Sequence, residues 1–98
     1  MRTPTTQITA DLQKVLWACY DYWRRESVPK AERAICYTWV VTPYQDRFGA
    51  SFHQSALDRL TTLGFLEKDD TSRGGNRRYY KLVDPTQLES LLTQWGLS

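Results

Sequence analysis

YQDRFGASFHQSALDRLTTLGFLEK, residues 44 to 68, contains a short polar-aromatic segment, a glycine, a second segment with apolar residues at helical spacing, a second glycine and a short apolar run. Phe52, Ala56, Leu57, Leu60 and Leu63 recur every three or four positions, which places them on one stripe of a helix over about 51 to 63. Ser51 with Gln54 three residues later reads as a capping box, in which each side chain satisfies a backbone N–H at the other's position. Gly64 supplies a left-handed exit, and Gly49 ends the segment before it. Thr42 and Pro43 read as a cap followed by proline in the first helical position, opening a short helix over YQDRF. Two helices separated by a tight turn are therefore expected across residues 43 to 63.

Upstream, Thr9 caps a helix over about 9 to 26, with Asp11 in its first turn and Arg24 and Arg25 in its last, both signs suiting the helix dipole. Leu12, Val15, Leu16, Cys19 and Trp23 form its apolar face, and Val28-Pro29 stops it. Residues 30 to 41, KAERAICYTWVV, favour a helix at the front, but Ile35, Tyr37, Trp39 and Val41 alternate, which predicts a short strand near 36 to 41.

Downstream, Phe65 to Lys68 reads as a strand, TSRGGN as a turn and RRYYKLV as the returning strand of a hairpin. Alternation puts Arg78, Tyr80 and Leu82 on one face and Arg77, Tyr79, Lys81 and Val83 on the other. One of the two tyrosines is expected to face the core. Asp84-Pro85-Thr86-Gln87 then starts a C-terminal helix over about 85 to 95, with Leu88, Leu91, Leu92 and Trp95 on one stripe.

Ninety-eight residues, 41% of them hydrophobic and 24% charged, fit a single folded domain spanning 1 to 98. The formal net charge of +2 names no partner, but its distribution is uneven. TSRGGNRRYYKL, residues 71 to 82, carries Arg73, Arg77, Arg78 and Lys81 with no acid among them, while Glu67, Asp69 and Asp70 lie just before. No run approaches the length of a membrane span and the N-terminus lacks an apolar signal segment, so a cytoplasmic location is expected. Cys19 and Cys36, with a single histidine, have no zinc-site spacing and read as buried free thiols. No nucleophile beside a base, paired acids or phosphate loop has diagnostic spacing. The expectation is a non-enzyme with no cofactor, no metal and no evident small-molecule ligand.

YQDRFGAS followed by FHQSALDRLTTLGFLEK resembles the second helix, turn and recognition helix of MarR-type and PadR-type regulators, and RRYYKL resembles the return strand of their wing. The resemblance covers about residues 36 to 83. It implies an α+β winged helix-turn-helix fold, with a three-helix core, a two-stranded β wing and the C-terminal helix in addition. It also implies sequence-specific binding of double-stranded DNA by a small transcriptional regulator or a plasmid or phage protein. The recognition helix 51 to 63 would enter the major groove and the wing 67 to 82 would follow the backbone or minor groove.

By position, Gln54, Ser55, Arg59 and Thr62 on that helix and Arg73, Gly74, Gly75, Asn76, Arg77 and Arg78 on the wing become the candidate DNA-binding residues. Gln54 can pair with adenine and also serve only as a cap. A carboxylate at Asp58, in the middle of this surface, repels phosphate unless it accepts from cytosine or pairs with an arginine. The wing arginines either meet phosphate or pair with Glu67, Asp69 and Asp70 across the hairpin. Apolar stripes on both terminal helices are expected to support a homodimer or simply to cover the core. A dimer would set two recognition helices roughly 34 Å apart, on a palindromic site. The alternative is a winged helix that binds protein without DNA, with Trp39, Tyr44 or Trp95 as an exposed aromatic surface.

Overall fold

α1, Ala10–Arg25, runs through the middle of the molecule and packs against α2, Tyr37–Phe48, α3, Ser55–Thr62, and α4, Pro85–Gln94. The computed structural model describes residues 8–25, 34–69 and 78–97. The tip of the expected hairpin, with Arg73, Gly74, Gly75, Asn76 and Arg77, lies outside the described residues, as does the stop at Val28-Pro29. Among the described residues, four helices and a two-stranded antiparallel sheet make an α+β arrangement around one core.

α1 forms where its caps and periodicity place it. Thr9 Oγ1 accepts from the Leu12 N–H at 3.2 Å, closing the first turn. Val15, Leu16, Ala18 and Cys19 are almost wholly removed from water, because α1 has helices on several sides rather than on one. Near its C-terminus Asp21 is buried and held by Arg24 at 2.9 Å and Arg25 at 2.8 Å. The two arginines thus neutralise a buried acid as well as facing the helix dipole. Their i,i+3 and i,i+4 spacing from Asp21 was the available signal.

The strand expected near 36 to 41 is not formed. Among the described residues of this stretch Ile35 makes a β-bridge, to Tyr80, and the chain is helical from Tyr37 onward. Tyr37, Val40, Tyr44 and Phe48 follow one another at intervals of three and four and all pack into or against the core. Tertiary burial of that face outweighs the strand preference of an alternating aromatic and β-branched run. For the same reason Thr42-Pro43 does not open a helix: Cys36 is the N-cap and Pro43 sits inside α2. Proline has no N–H to give to the preceding turn, and the burial of Val40 and Tyr44 on either side keeps the segment helical through it. Gly49, at φ 72°, ends α2 as expected.

α3 is shorter than the expected 51 to 63. Phe52 contacts the rings of Tyr37 at 5.3 Å and Tyr44 at 4.9 Å, and its carbonyl accepts from the Tyr37 hydroxyl at 2.6 Å. These contacts fasten residue 52 to α2 and delay the helix. Gln54 becomes the N-cap without a side-chain cap bond, so the Ser51 and Gln54 capping box is not made. His53 takes that role, its Nδ1 accepting from the Ser55 N–H at 3.2 Å. At the other end Gly64, at φ 95°, permits two closing bonds, Phe65 N–H to Leu60 carbonyl and Gly64 N–H to Thr61 carbonyl. That pair is the Schellman pattern, and it turns the chain directly into β1.

β1, Leu66–Lys68, pairs with β2, Tyr80–Leu82, in the register Leu66 with Leu82, Glu67 with Lys81 and Lys68 with Tyr80. Tyr80 is the tyrosine that enters the core, at 0% exposure. α4 begins as its sequence indicates, Asp84 Oδ1 accepting from the Gln87 N–H at 3.1 Å. Leu88, Leu91 and Leu92 are buried within this single chain, and Arg47 fastens the C-terminal end by donating to the Leu97 carbonyl at 2.7 Å. Trp95, the remaining member of that stripe, is half-buried against the core. No helix among the described residues is long and apolar enough to cross a membrane.

Cys19 and Cys36 are buried free thiols. Burial pushes the Cys19 thiol from 9.0 up to about 12, and burial likewise raises the hydroxyls of Tyr20, Tyr44 and Tyr80. Each folded-state value lies above the unfolded one, so the native chain holds more protons in that window and stability falls as pH rises. These groups are expected to make urea midpoints decline between about pH 9 and pH 12. A midpoint that rises on the alkaline side contradicts this reading of the core.

Candidate nucleic-acid interface

α3 divides cleanly by solvent. Leu57 and Leu60 are fully buried, while Ser55, Arg59 and Thr62 are exposed on the outer side and Gln54 and Asp58 are half-buried between. Burying Leu57 and Leu60 contributes about 2 kcal/mol each and fixes which side faces outward. Beside the N-terminal half of this outer face lies a cleft of about 470 Å³, lined in part by Thr38, His53, Gln54, Ser55, Asp58 and Arg78.

Asp58 organises the cleft. Its Oδ1 accepts from the Tyr80 hydroxyl at 2.7 Å and its Oδ2 from Arg78 Nη1 at 3.2 Å. Of the two circumstances in which an acid is tolerable here, pairing with an arginine is the one observed. Tyr80 joins the hairpin to α3: its side chain is in the core and its hydroxyl reaches Asp58 from beneath the cleft. Burial first, and then the bond to Asp58, raise that hydroxyl above the ordinary tyrosine value, so it remains a protonated donor across the neutral range. The Arg78 side chain is 63% exposed and that of Asp58 39%, so the pair adds little stability and acts mainly on orientation.

Among the sequence-derived candidates, the cleft brings together Gln54, Ser55 and Arg78. Ser55 Oγ lies 3.1 Å from His53 Nδ1, which ties the two exposed polar side chains at the start of α3 to each other. Arg59 and Thr62 lie on the outer side of α3 but outside the cleft lining, and the Thr62 hydroxyl donates to the Asp58 backbone carbonyl at 3.2 Å. Arg73, Gly74, Gly75, Asn76 and Arg77 lie outside the described residues. Neither Thr38 in the cleft lining nor the bond of Tyr80 to Asp58 was foreseen. Thr38 went unnoticed because its segment reads as a strand, and Tyr80 because no spacing rule links it to Asp58, 22 residues earlier.

The aromatic residues that would serve a protein-docking surface are engaged elsewhere. Tyr44 is buried at 6% exposure, and Trp95 is half-buried against the core. Trp39 contacts the rings of Tyr22 and Tyr79, each with its centroid 5.7 Å away. Among the described residues, Val83 is the large hydrophobic side chain left exposed, at 51%. No protein-family model matches the chain, and neither a curated protein nor a solved structure shows significant similarity to it.

Proposed function

We propose that this α+β arrangement is a winged helix-turn-helix and that the chain binds double-stranded DNA sequence-specifically, as a small transcriptional regulator or a plasmid or phage DNA-binding protein. In this reading α2, the turn at 49 to 54 and α3 form the helix-turn-helix. The outer face of α3 enters the major groove, and the hairpin from 67 to 82 lies on the backbone or minor groove. The supporting observation is the Asp58 cluster: the acid on the outer face of α3 is neutralised by Arg78 and capped by Tyr80. That removes the main electrostatic objection to phosphate at this surface and joins wing to helix at the same place. The engagement of Tyr44, Trp39 and Trp95 within the chain favours DNA over a docked protein.

Fluorescence anisotropy of the whole chain with a mixed-sequence duplex, over a salt series, tests this. Binding that weakens linearly in log salt, with a slope of about −0.9 per neutralised phosphate, is expected. No binding at roughly 50 mM salt, where non-specific contacts are strong, removes the proposal.

A further inference from the structure

Arg78 differs from an ordinary phosphate-binding arginine in being held by an acid that is itself held. The Asp58 carboxylate cannot swing freely, because one oxygen is bonded to a tyrosine whose ring is fully buried. The other oxygen takes a single N–H of Arg78, whose side chain remains 63% exposed beside Gln54 and Ser55. A guanidinium has five N–H donors in a rigid plane, so giving one to Asp58 leaves enough for a two-point contact elsewhere. Contact with phosphate needs only charge and gains nothing from a neighbouring carboxylate, which lowers the local potential. Recognition of a base edge needs a fixed plane, and the base that presents two acceptors to such a plane in the major groove is guanine, through O6 and N7.

Resting on the DNA-binding reading, but taking Arg78, which is held against α3, out of the wing's backbone or minor-groove contacts, we propose that Asp58 is a positioning residue that holds the Arg78 guanidinium beside the N-terminal half of α3, so that Arg78 reads a guanine in the major groove. Asp58 touches no base in this arrangement. It lowers affinity for DNA in general and raises the difference between the right and the wrong base pair.

The test uses the full chain, as wild type, Asp58→Asn and Arg78→Lys. A preferred duplex is selected from a random pool with wild type. Anisotropy then compares that duplex, versions with each G·C pair replaced in turn, and a mixed-sequence duplex. Asp58→Asn is expected to bind the mixed duplex about threefold more tightly, because a negative charge is gone. It should also lose about tenfold of discrimination at one G·C position. Arg78→Lys keeps the charge and should lose the same discrimination at the same position, since an ammonium has no fork to present. Thermal melting establishes that Asp58→Asn is folded, and Arg78→Lys, at an exposed site, carries the test if it is not.

The outcomes separate the two levels of inference. If wild type binds no duplex, the DNA reading and this proposal fall together. If wild type binds and both variants keep full discrimination at every G·C pair, the guanine-reading role alone is overturned. If Arg78→Lys loses the discrimination and a folded Asp58→Asn keeps it, or if Asp58→Asn weakens all duplexes equally, Asp58 has no positioning role.

Discussion

Tyr80→Ala is expected to lower the unfolding free energy by about 4 kcal/mol, read from urea denaturation, and to lower the melting temperature by about 20 °C. Tyr80 is the largest of the fully buried side chains. It lies where α3, both strands and the segment before α2 come together, through its pairing with Lys68, its bridge to Ile35 and its hydroxyl bond to Asp58. Truncation to alanine empties a ring-sized volume that the surroundings fill only partly, and domains of this size have only about 5 to 15 kcal/mol in total. Tyr80→Phe separates packing from hydrogen bonding. It keeps the ring and removes only the donor to a half-exposed carboxylate, so about 1 kcal/mol is expected. Equal losses for the two variants would mean that the hydroxyl, not the ring, carries the effect. A loss under about 1 kcal/mol for alanine would mean that the site is not packed as described.

The second large effect concerns DNA affinity. On the proposed DNA-binding function, Arg73→Ala combined with Arg77→Ala is expected to weaken binding to any duplex roughly sixtyfold at about 0.1 M salt and to flatten the salt slope by about 1.8. Each phosphate contact releases about 0.9 of a counterion, and at that salt concentration each is therefore worth roughly an eightfold change. Sequence preference should remain as in the wild type, because backbone contacts carry no base information. This contrasts with Asp58→Asn, for which general affinity rises and preference falls. An unchanged slope in the double variant would indicate that the two arginines are neutralised by the acids preceding the tip and do not touch phosphate. Glu67, the first of those acids, lies opposite Lys81 in the hairpin register.

Much of the fold was legible where local rules and burial agree. Thr9 and Asp84 cap α1 and α4 as their side-chain chemistry requires. The Leu57 and Leu60 stripe, the exit at Gly64 and the inward tyrosine of the hairpin all follow from periodicity and turn chemistry. The segment around α2 was not legible in the same way. Ile35, Tyr37, Trp39 and Val41 alternate like a strand, while Tyr37, Val40, Tyr44 and Phe48 repeat like a helix, and only the presence of α1 beside them decides between the two. The start of α3 was misplaced for a related reason, since Phe52 is bound to α2 by contacts distant in sequence. The composition of the candidate site was visible in Gln54, Ser55, Asp58 and Arg78. Its arrangement depends on hairpin register, which no short pattern encodes.

The backbone bridge between Ile35 and Tyr80 has a mechanical result. Two reciprocal N–H to carbonyl bonds, of 2.9 and 2.8 Å, fasten β2 along the edge not occupied by β1. At Tyr80 β2 is thus held along both of its edges, and α2 starts two residues beyond Ile35. Load carried by β2 therefore passes to the first turn of α2 as well as to β1.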